Sequence, residues 1–123
     1  GKVLLKDGEI AAEILSPADE LNTSREPRTM LGTNDGKLFI VVVDGRQPGH
    51  SEGMTLAEGA MYLKSLGAEQ AINLDGGGSS TYYARQPGNE WPTLLNRPSD
   101  GLERTVANSL MVVSDAPIDK LEF

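Results

Sequence analysis

A glycine-rich stretch, Asn73-Leu74-Asp75-Gly76-Gly77-Gly78-Ser79-Ser80-Thr81, holds the residues best suited to chemistry, and we call it the glycine segment. Three consecutive glycines cost backbone entropy on folding, so another group should approach this backbone closely. Glycine lets successive amides turn towards an anion, and the hydroxyls of Ser79, Ser80 and Thr81 would add donors. Asp75 could act there as a general acid or base, or as a cation ligand. The alternative is a structural turn in which Asp75 only caps local amides.

A second acidic residue and several arginines supply further candidate groups. Asp44 follows an apolar run, as Asp75 does, and two carboxylates at neighbouring strand ends could divide the acid and base roles. Arginine can hold phosphate with two parallel hydrogen bonds. Four arginines lie beside turns or strand ends, namely Arg28, Arg46, Arg97 and Arg104. The alternatives are that Asp44 pairs with Arg46 across the turn, and that each arginine forms only a surface salt bridge.

The composition restricts the partners and the cofactors. The 123 residues are 38% hydrophobic, which suits one domain with a modest core. A net charge of -7 disfavours nucleic acid as a partner, and no apolar run is long enough to span a membrane. With no cysteine and one histidine, only a hard cation such as calcium would fit, and no motif indicates one. We therefore expect no cofactor. The sequence identifies no partner for His50, which is predicted to be an exposed histidine and not a base.

Two hairpins are predicted by the turn sequences Asp7-Gly8 and Asn34-Asp35-Gly36. Their flanking strands are residues 2–5 and 9–15, and residues 28–33 and 37–43. The continuous apolar run at 38–43 favours a strand buried on both faces. Residues 16–27 are polar, contain two prolines and are predicted to form a connecting loop.

A helix at residues 56–66 is the element with the clearest boundaries. Thr55 and Glu58 can form a capping box at its start, and Gly67 supplies the left-handed residue that ends it. A short buried strand at 71–74 then leads into the glycine segment, which completes a strand, helix and strand crossover.

The last part of the sequence predicts loop followed by strand. Residues 82–100 are rich in proline, glycine and asparagine, and residues 105–114 alternate and then run apolar. Taken together, the elements predict an α+β fold in which a mixed β-sheet packs against a helix.

Six motifs in combination resemble the phosphodiester glycosidase family. They are Pro27-Arg28-Thr29, Val43-Asp44-Gly45-Arg46, Gly53-Met54-Thr55-Leu56-Ala57-Glu58, Leu66-Gly67-Ala68, the glycine segment, and the stretch that begins Asn96-Arg97-Pro98-Ser99-Asp100-Gly101 and ends at Asn108. The resemblance extends from about residue 27 to residue 113. It implies an N-terminal hairpin and linker at 1–26, the C-terminal portion of a phosphodiester-glycosidase-like domain at 27–115, and a tail at 116–123.

The resemblance also implies that the motif residues converge on an active cleft. Arg28 and Arg104, with the amides of the glycine segment, would bind the phosphate of a sugar 1-phosphodiester. Asp75 would act as acid or base, and one carboxylate would suffice because phosphate is already a good leaving group. The implied catalytic residues are Asp75, Asp44 and Arg28, and the implied substrate-binding residues are Arg46, Gly76, Gly77, Gly78, Ser79, Ser80, Arg104 and Asn108.

The implied function is hydrolysis of a sugar 1-phosphodiester, on exported or cell-wall glycans, by a secreted or cell-envelope protein. One alternative is a non-catalytic module that binds glycan or phosphate, and another is a structural domain whose glycines only permit close packing. Members of the family carry an additional N-terminal half with a motif that we do not find before Arg28. We therefore expect an N-terminal fragment of the same domain, or a second copy of the chain, to protect the exposed strand edges.

Overall fold

Five strands form one antiparallel sheet in the order β2-β1-β5-β3-β4 in the computed structural model, which describes residues 1–116. The strands are β1 (Lys2–Lys6), β2 (Glu9–Ile10), β3 (Arg28–Asn34), β4 (Lys37–Val43) and β5 (Gln70–Asn73). A separate ribbon pairs β6 (Tyr83–Ala84) with β7 (Thr93–Leu94). The α+β class is confirmed, although every pair of neighbouring strands is antiparallel where a mixed sheet was predicted.

Both predicted hairpin turns are confirmed. Asp7 and Gly8 have φ angles of 51° and 79° and join β1 to β2, while Asp35 and Gly36 join β3 to β4. The first hairpin is shorter than predicted, because β2 ends at Ile10 and Ala12–Leu15 forms a 3-10 turn. Since β1 also pairs with β5, this hairpin is part of the main sheet.

Two α-helices lie in the described residues, and neither is long and apolar enough to cross a membrane. α1 (Glu20–Thr23) is a single turn within the segment predicted to be loop. α2 (Leu56–Ser65) matches the predicted helix. Its capping box is present, with the Glu58 amide donating to Thr55 Oγ1 at 3.2 Å and the Thr55 amide donating to the Glu58 carboxylate at 3.0 Å.

The connection from β4 through α2 to β5 is the predicted crossover. Because β4 and β5 are both antiparallel to β3, they run parallel to each other with β3 between them. The carboxyl ends of β4 and β5 therefore lie at the same edge of the sheet as the start of β3.

The hydrophobic core lies between α2 and one face of the sheet. Residues that pair across neighbouring strands project to the same face, so Met30, Val41 and Asn73 all point to the helix side. The buried core residues are Leu4, Leu5, Ile14, Met30, Leu56, Ala60, Leu63, Ala68 and Ala71. One modest core is thus built from helix, sheet and the 3-10 turn.

The opposite face of the sheet is open in the described part of the chain. Four neighbouring strands each place one apolar residue in a row across this face, namely Val3, Ile72, Leu31 and Ile40. The side chains of Val3, Ile72 and Ile40 are 40%, 40% and 37% exposed. The prediction that the strand at 38–43 is buried on both faces is therefore wrong, because β4 is an edge strand and the helix covers only one side.

The predicted last strand at 105–114 does not form. Residues 105–116 have no regular secondary structure, and Leu110, Met111 and Val112 are 59%, 76% and 70% exposed. An alternating apolar pattern makes a strand only where a neighbouring strand accepts its hydrogen bonds, and this segment pairs with no described strand. Residues 117–123 of the predicted tail lie outside the described residues.

Candidate active cleft

Three strand ends bring the main candidate residues to one edge of the sheet. Arg28 begins β3 and pairs with Val43, the last residue of β4, while β5 ends two residues before Asp75. Asp44 follows Val43 directly. The antiparallel register therefore places Arg28, Asp44 and Asp75 at the same edge, as their positions after predicted strands indicated.

A cleft of about 680 Å³ opens at this edge, a volume typical of small-molecule sites. Four cationic side chains and two carboxylates line it. They are Lys2, Arg28, Arg46 and Arg104, with Glu26 and Asp75. The chain as a whole carries a net charge of -7, whereas the cations outnumber the anions around this cleft. Three of these cations are already paired, Lys2 with Asp19, Arg46 with Glu26 and Arg104 with Asp100, so an anionic ligand would compete with carboxylates for them.

Arg28 is a buried cation held by backbone oxygens. The residue is 2% exposed, and its Nε donates to the Met54 carbonyl at 2.9 Å. Its Nη2 donates to the carbonyls of Leu21 and Ser24 at 3.0 and 2.9 Å. Burial lowers the pKa of Arg28 below its usual value; the nearby Glu26 raises this pKa and Arg46 lowers it further. The guanidinium nevertheless remains protonated at neutral pH. Arg28 thus lines the cleft and also ties α1 to the loop before α2.

Asp75 is exposed and lines the cleft beside Gly76 and Gly77. Its Oδ1 accepts a hydrogen bond from the Gly76 amide at 3.0 Å, and no ion pair to it is present among residues 1–116. The carboxylate is therefore available to a ligand in the cleft.

The predicted anion nest does not form in the glycine segment. The Gly77–Ser79 stretch folds into a 3-10 turn, and four of the five amides from residue 76 to residue 80 donate to oxygens of the chain itself. The pairs are Gly76 to Asp75, Gly77 to Pro27, Ser79 to Gly76, and Ser80 to Gly77. Among the described residues only the Gly78 amide of this group has no assigned acceptor. Binding of an anion at this edge would therefore depend mainly on side-chain cations.

Close packing explains two of the three glycines. A Cβ atom on Gly76 would lie 2.7 Å from the Pro27 carbonyl oxygen, and one on Gly78 would lie 2.3 Å from Asp100 Oδ2. Arg104 donates to this Asp100 oxygen at 2.6 and 3.1 Å. The segment thus has the packing role of the structural alternative, and it lines the cleft as well.

Asp44 does not line the cleft, because its carboxylate lies at a hydrogen-bonded junction. It accepts from His50 Nε2 at 2.8 Å, from Asn96 Nδ2 at 3.1 Å and from the Arg97 amide at 3.0 and 3.1 Å. Asn96 Nδ2 also donates to the Ser80 carbonyl at 2.8 Å. The junction therefore joins the end of β4 to the glycine segment and to the Asn96 loop.

His50 is exposed, as predicted, and its partner is the Asp44 carboxylate, which the sequence did not identify. The alternative pairing of Asp44 with Arg46 is absent, because Arg46 forms its ion pair with Glu26. Glu26 and Arg46 both line the cleft, so this ion pair lies at its surface.

The model of the phosphodiester glycosidase family matches residues 1–113 of this sequence. The chain belongs to the phosphodiester glycosidase family. The match begins at the first residue, in agreement with the pairing of β1 with β5 in the main sheet. The resemblance inferred from the motifs is thereby confirmed.

Three proteins that are similar to this chain are much longer than it is. The SPbeta prophage-derived uncharacterized protein YomE of Bacillus subtilis (strain 168) is 36% identical over 110 residues, covering 89% of this chain and 16% of that protein. The catalytic domain of zebrafish N-acetylglucosamine-1-phosphodiester alpha-N-acetylglucosaminidase, auto-inhibited by its pro-peptide, is 34% identical with a TM-score of 0.60, over 79% of this chain and 33% of that one. A hypothetical protein from Synechocystis is 29% identical with a TM-score of 0.51, over 66% and 15%. This chain therefore spans about a third or less of each.

The remaining implied site residues of this phosphodiester glycosidase family chain lie away from the cleft lining. Ser80 is 1% exposed, and its Oγ accepts from Thr29 Oγ1 at 3.2 Å. Ser79 and Gly78 are not among the lining residues, and Asn108 is exposed in the irregular segment at 105–116. No group of three histidine, cysteine or acidic side chains in residues 1–116 could hold a metal ion.

Lys2 and Glu26 line the cleft but were missed from the sequence. Both fall in residues 1–26, which were interpreted as a hairpin and a linker outside the domain. Lys2 reaches the cleft only because it pairs with Asn73 across the sheet, a contact for which the sequence contains no local pattern.

The Asp44 junction makes the stability of the fold depend on pH. Burial raises the pKa of Asp44, but hydrogen bonds from His50, Asn96 and the Arg97 amide outweigh it and leave this pKa below its usual value of 3.8. Because the pKa is lower in the folded state, the ionised carboxylate stabilises the fold above the unfolded-state pKa, and this contribution is lost as pH falls through the folded-state pKa. We expect Asp44→Asn to lower the free energy of unfolding at about pH 5, and by less below about pH 4.

Urea denaturation of both proteins across this range measures the difference. Asp35→Asn, in the exposed β3–β4 turn, is the control, and we expect its difference from wild type to stay flat. A difference between wild type and Asp44→Asn that grows as the pH falls below about 4 would contradict the assignment.

Proposed function

We propose that the cleft binds a sugar 1-phosphodiester and takes part in hydrolysis of its glycosidic C–O bond, on an exported or cell-wall glycan. The observation that carries this proposal is that Asp75 shares one cleft with Arg28, Arg46 and Arg104. Guanidinium groups match the charge and the geometry of a phosphodiester, and a carboxylate without an ion pair is suited to proton transfer. The substrate class is further supported by the name of the zebrafish relative, an N-acetylglucosamine-1-phosphodiester alpha-N-acetylglucosaminidase.

In the proposed reaction a water oxygen bonds to the anomeric carbon while the bond from that carbon to the phosphate oxygen breaks. The bonding electron pair leaves with the phosphate, and Asp75 accepts a proton from the attacking water. The arginines stabilise the negative charge that develops on the departing phosphate monoester. The products are a free sugar and a phosphate monoester, and a phosphate leaving group needs little protonation.

A non-catalytic binding module is the second candidate, and one observation favours it. Asp44 lies outside the cleft and Glu26 is paired with Arg46, so Asp75 is the one carboxylate lining the cleft that has no ion pair among the described residues. A module of this kind would bind phosphodiester glycans through the same arginines and would release no product.

Hydrolysis in ¹⁸O-labelled water distinguishes these proposals. The full-length protein is incubated with a panel of sugar 1-phosphodiesters, and both products are analysed by mass spectrometry. We expect ¹⁸O in the anomeric hydroxyl of the sugar, because water attacks carbon. Label in the phosphate would indicate P–O cleavage and would overturn the proposed reaction, while saturable binding without product would support the binding module.

Two further expectations from the resemblance stay predictions. One is that the protein is secreted or lies in the cell envelope. The other is that an N-terminal fragment of the same domain, or a second copy of the chain, contacts the exposed strand edges.

A further inference from the structure

Asn73, the last residue of β5, has a buried oxygen with no hydrogen-bond partner. The residue is 6% exposed and lines the cleft with Lys2, Arg28 and Asp75. Its Nδ2 donates to the carbonyl of the next residue, Leu74, at 3.0 Å, whereas Oδ1 accepts from no group in the described part of the chain. A buried polar atom without a partner costs stability, so its presence beside a cleft calls for an explanation.

The orientation of the carboxamide determines whether the unpaired atom is an acceptor or a donor. Exchanging its oxygen and nitrogen would place Oδ1 against the Leu74 carbonyl, an unfavourable contact between two acceptors, so the unpaired atom is the oxygen. The backbone of Asn73 is held on both sides, by Lys2 of β1 and Met30 of β3. Only the side chain is free to adjust, and the last torsion of asparagine is soft.

The geometry points to Asn73 as a substrate-binding residue whose oxygen accepts a hydrogen bond from a donor on the sugar, either a hydroxyl or an amide N–H. This inference rests on the proposed function and deepens it, because the arginines bind the phosphate whereas Asn73 accepts a hydrogen bond from the sugar. Phosphate oxygens at neutral pH are acceptors and cannot satisfy Oδ1, so the partner belongs to another part of the ligand. Because the oxygen is buried, a rotation about the soft last torsion of the side chain has to accompany ligand binding.

Asn73→Leu tests this inference, because leucine has the same branched shape and number of heavy atoms but no polar atoms. Removal of a buried unsatisfied group is neutral or stabilising, so we expect the Tm to stay within a few degrees of wild type or to rise. We expect KM for the sugar 1-phosphodiester to rise about tenfold, while kcat changes little, since one hydrogen bond in the bound state is lost. Binding of dimethyl phosphate, which has no sugar, should not change.

Asn22→Leu is the matched control for stability. Asn22 is also buried, at 2% exposed, but it is fully paired, with Nδ2 donating to the carbonyls of Glu13 and Ser16 at 2.9 Å each and Oδ1 accepting from Lys2 Nζ at 2.8 Å. This variant should lower the Tm by about 5 °C or more. A comparable fall in Tm for Asn73→Leu, with KM unchanged, would mean that Asn73 is structural and would overturn the inference.

Substrates that lack one sugar donor at a time identify the group concerned. For the substrate without the donor that Asn73 recognises, wild type and Asn73→Leu should have the same KM, whereas they differ for all others. A difference that persists for every deoxy sugar, including a 2-deoxy sugar that carries no amide, would overturn the inference. If wild type neither hydrolyses nor binds any sugar 1-phosphodiester, the proposed function itself fails. If wild type and Asn73→Leu are equally active, only the inference about Asn73 fails.

Discussion

Replacement of Asp75 by asparagine should lower kcat/KM for a sugar 1-phosphodiester by about 10²–10⁴-fold, the usual contribution of a general acid or base. The carboxamide cannot accept the proton of the attacking water. The fold should not change, because Asp75 is exposed and its hydrogen bond from the Gly76 amide can be kept by the carboxamide oxygen. Steady-state kinetics of the full-length protein, with thermal unfolding of the same samples, measures both effects.

Asp35→Asn is the matched control, since it makes the same chemical change in the exposed β3–β4 turn. It should leave both kcat/KM and Tm at the wild-type values. Turnover by Asp75→Asn within a few-fold of wild type would remove this residue from the mechanism. Loss of binding together with loss of turnover would instead assign Asp75 to substrate binding.

Arg28→Ala should lower the free energy of unfolding by about 3 kcal/mol or more, because it removes a donor from three backbone carbonyls, two of which accept from no other assigned donor. Those carbonyls belong to Leu21, Ser24 and Met54, so the change would disconnect α1 from β3 and from the loop before α2. A single ammonium group cannot reproduce the fork of the guanidinium, so Arg28→Lys should recover only part of the loss. Urea denaturation monitored by circular dichroism gives the values.

Arg25→Ala serves as the control for this comparison. Arg25 lies three residues earlier, its side chain is 49% exposed, and it donates to the Gly53 carbonyl and to Glu58. Exposed pairs contribute about 1 kcal/mol or less, so its loss should be small. Equal losses for the two variants would show that the backbone contacts of Arg28 do not support the fold.

Local sequence was sufficient to predict the helix and the turns whose boundaries are determined by residues close together in the chain. The capping box of Thr55 and Glu58 determines where α2 begins, and the positive φ angles of Asp7 and Gly8 form the first hairpin turn. The pattern at 105–114 did not predict the structure, because a strand also requires a partner, and pairing is a property of the whole fold. The exposure of β4 on one face was missed for the same reason.

The site was predictable in part, and the limit again lies in long-range contacts. The position of Asp75 after a strand placed it correctly at the edge of the sheet, and the arginine motifs located three of the cleft cations. Asp44 has an equivalent position in the sequence, yet the loops containing His50 and Asn96 enclose its carboxylate. The hydrogen bonds of the glycine segment could not be predicted either, since the Gly77 amide donates to Pro27, which directly precedes β3 and lies 50 positions earlier in the sequence.

The pairing of Lys2 with Asn73 has a consequence for the order of folding. These residues are separated by roughly 70 positions in the chain, and closing so long a loop is slow compared with forming a helix or a hairpin. β1 can join the sheet only after β5 exists, so the cleft is completed late, whether the protein refolds or emerges from a ribosome. A bound substrate therefore cannot guide the early steps of folding, and it stabilises only the finished molecule.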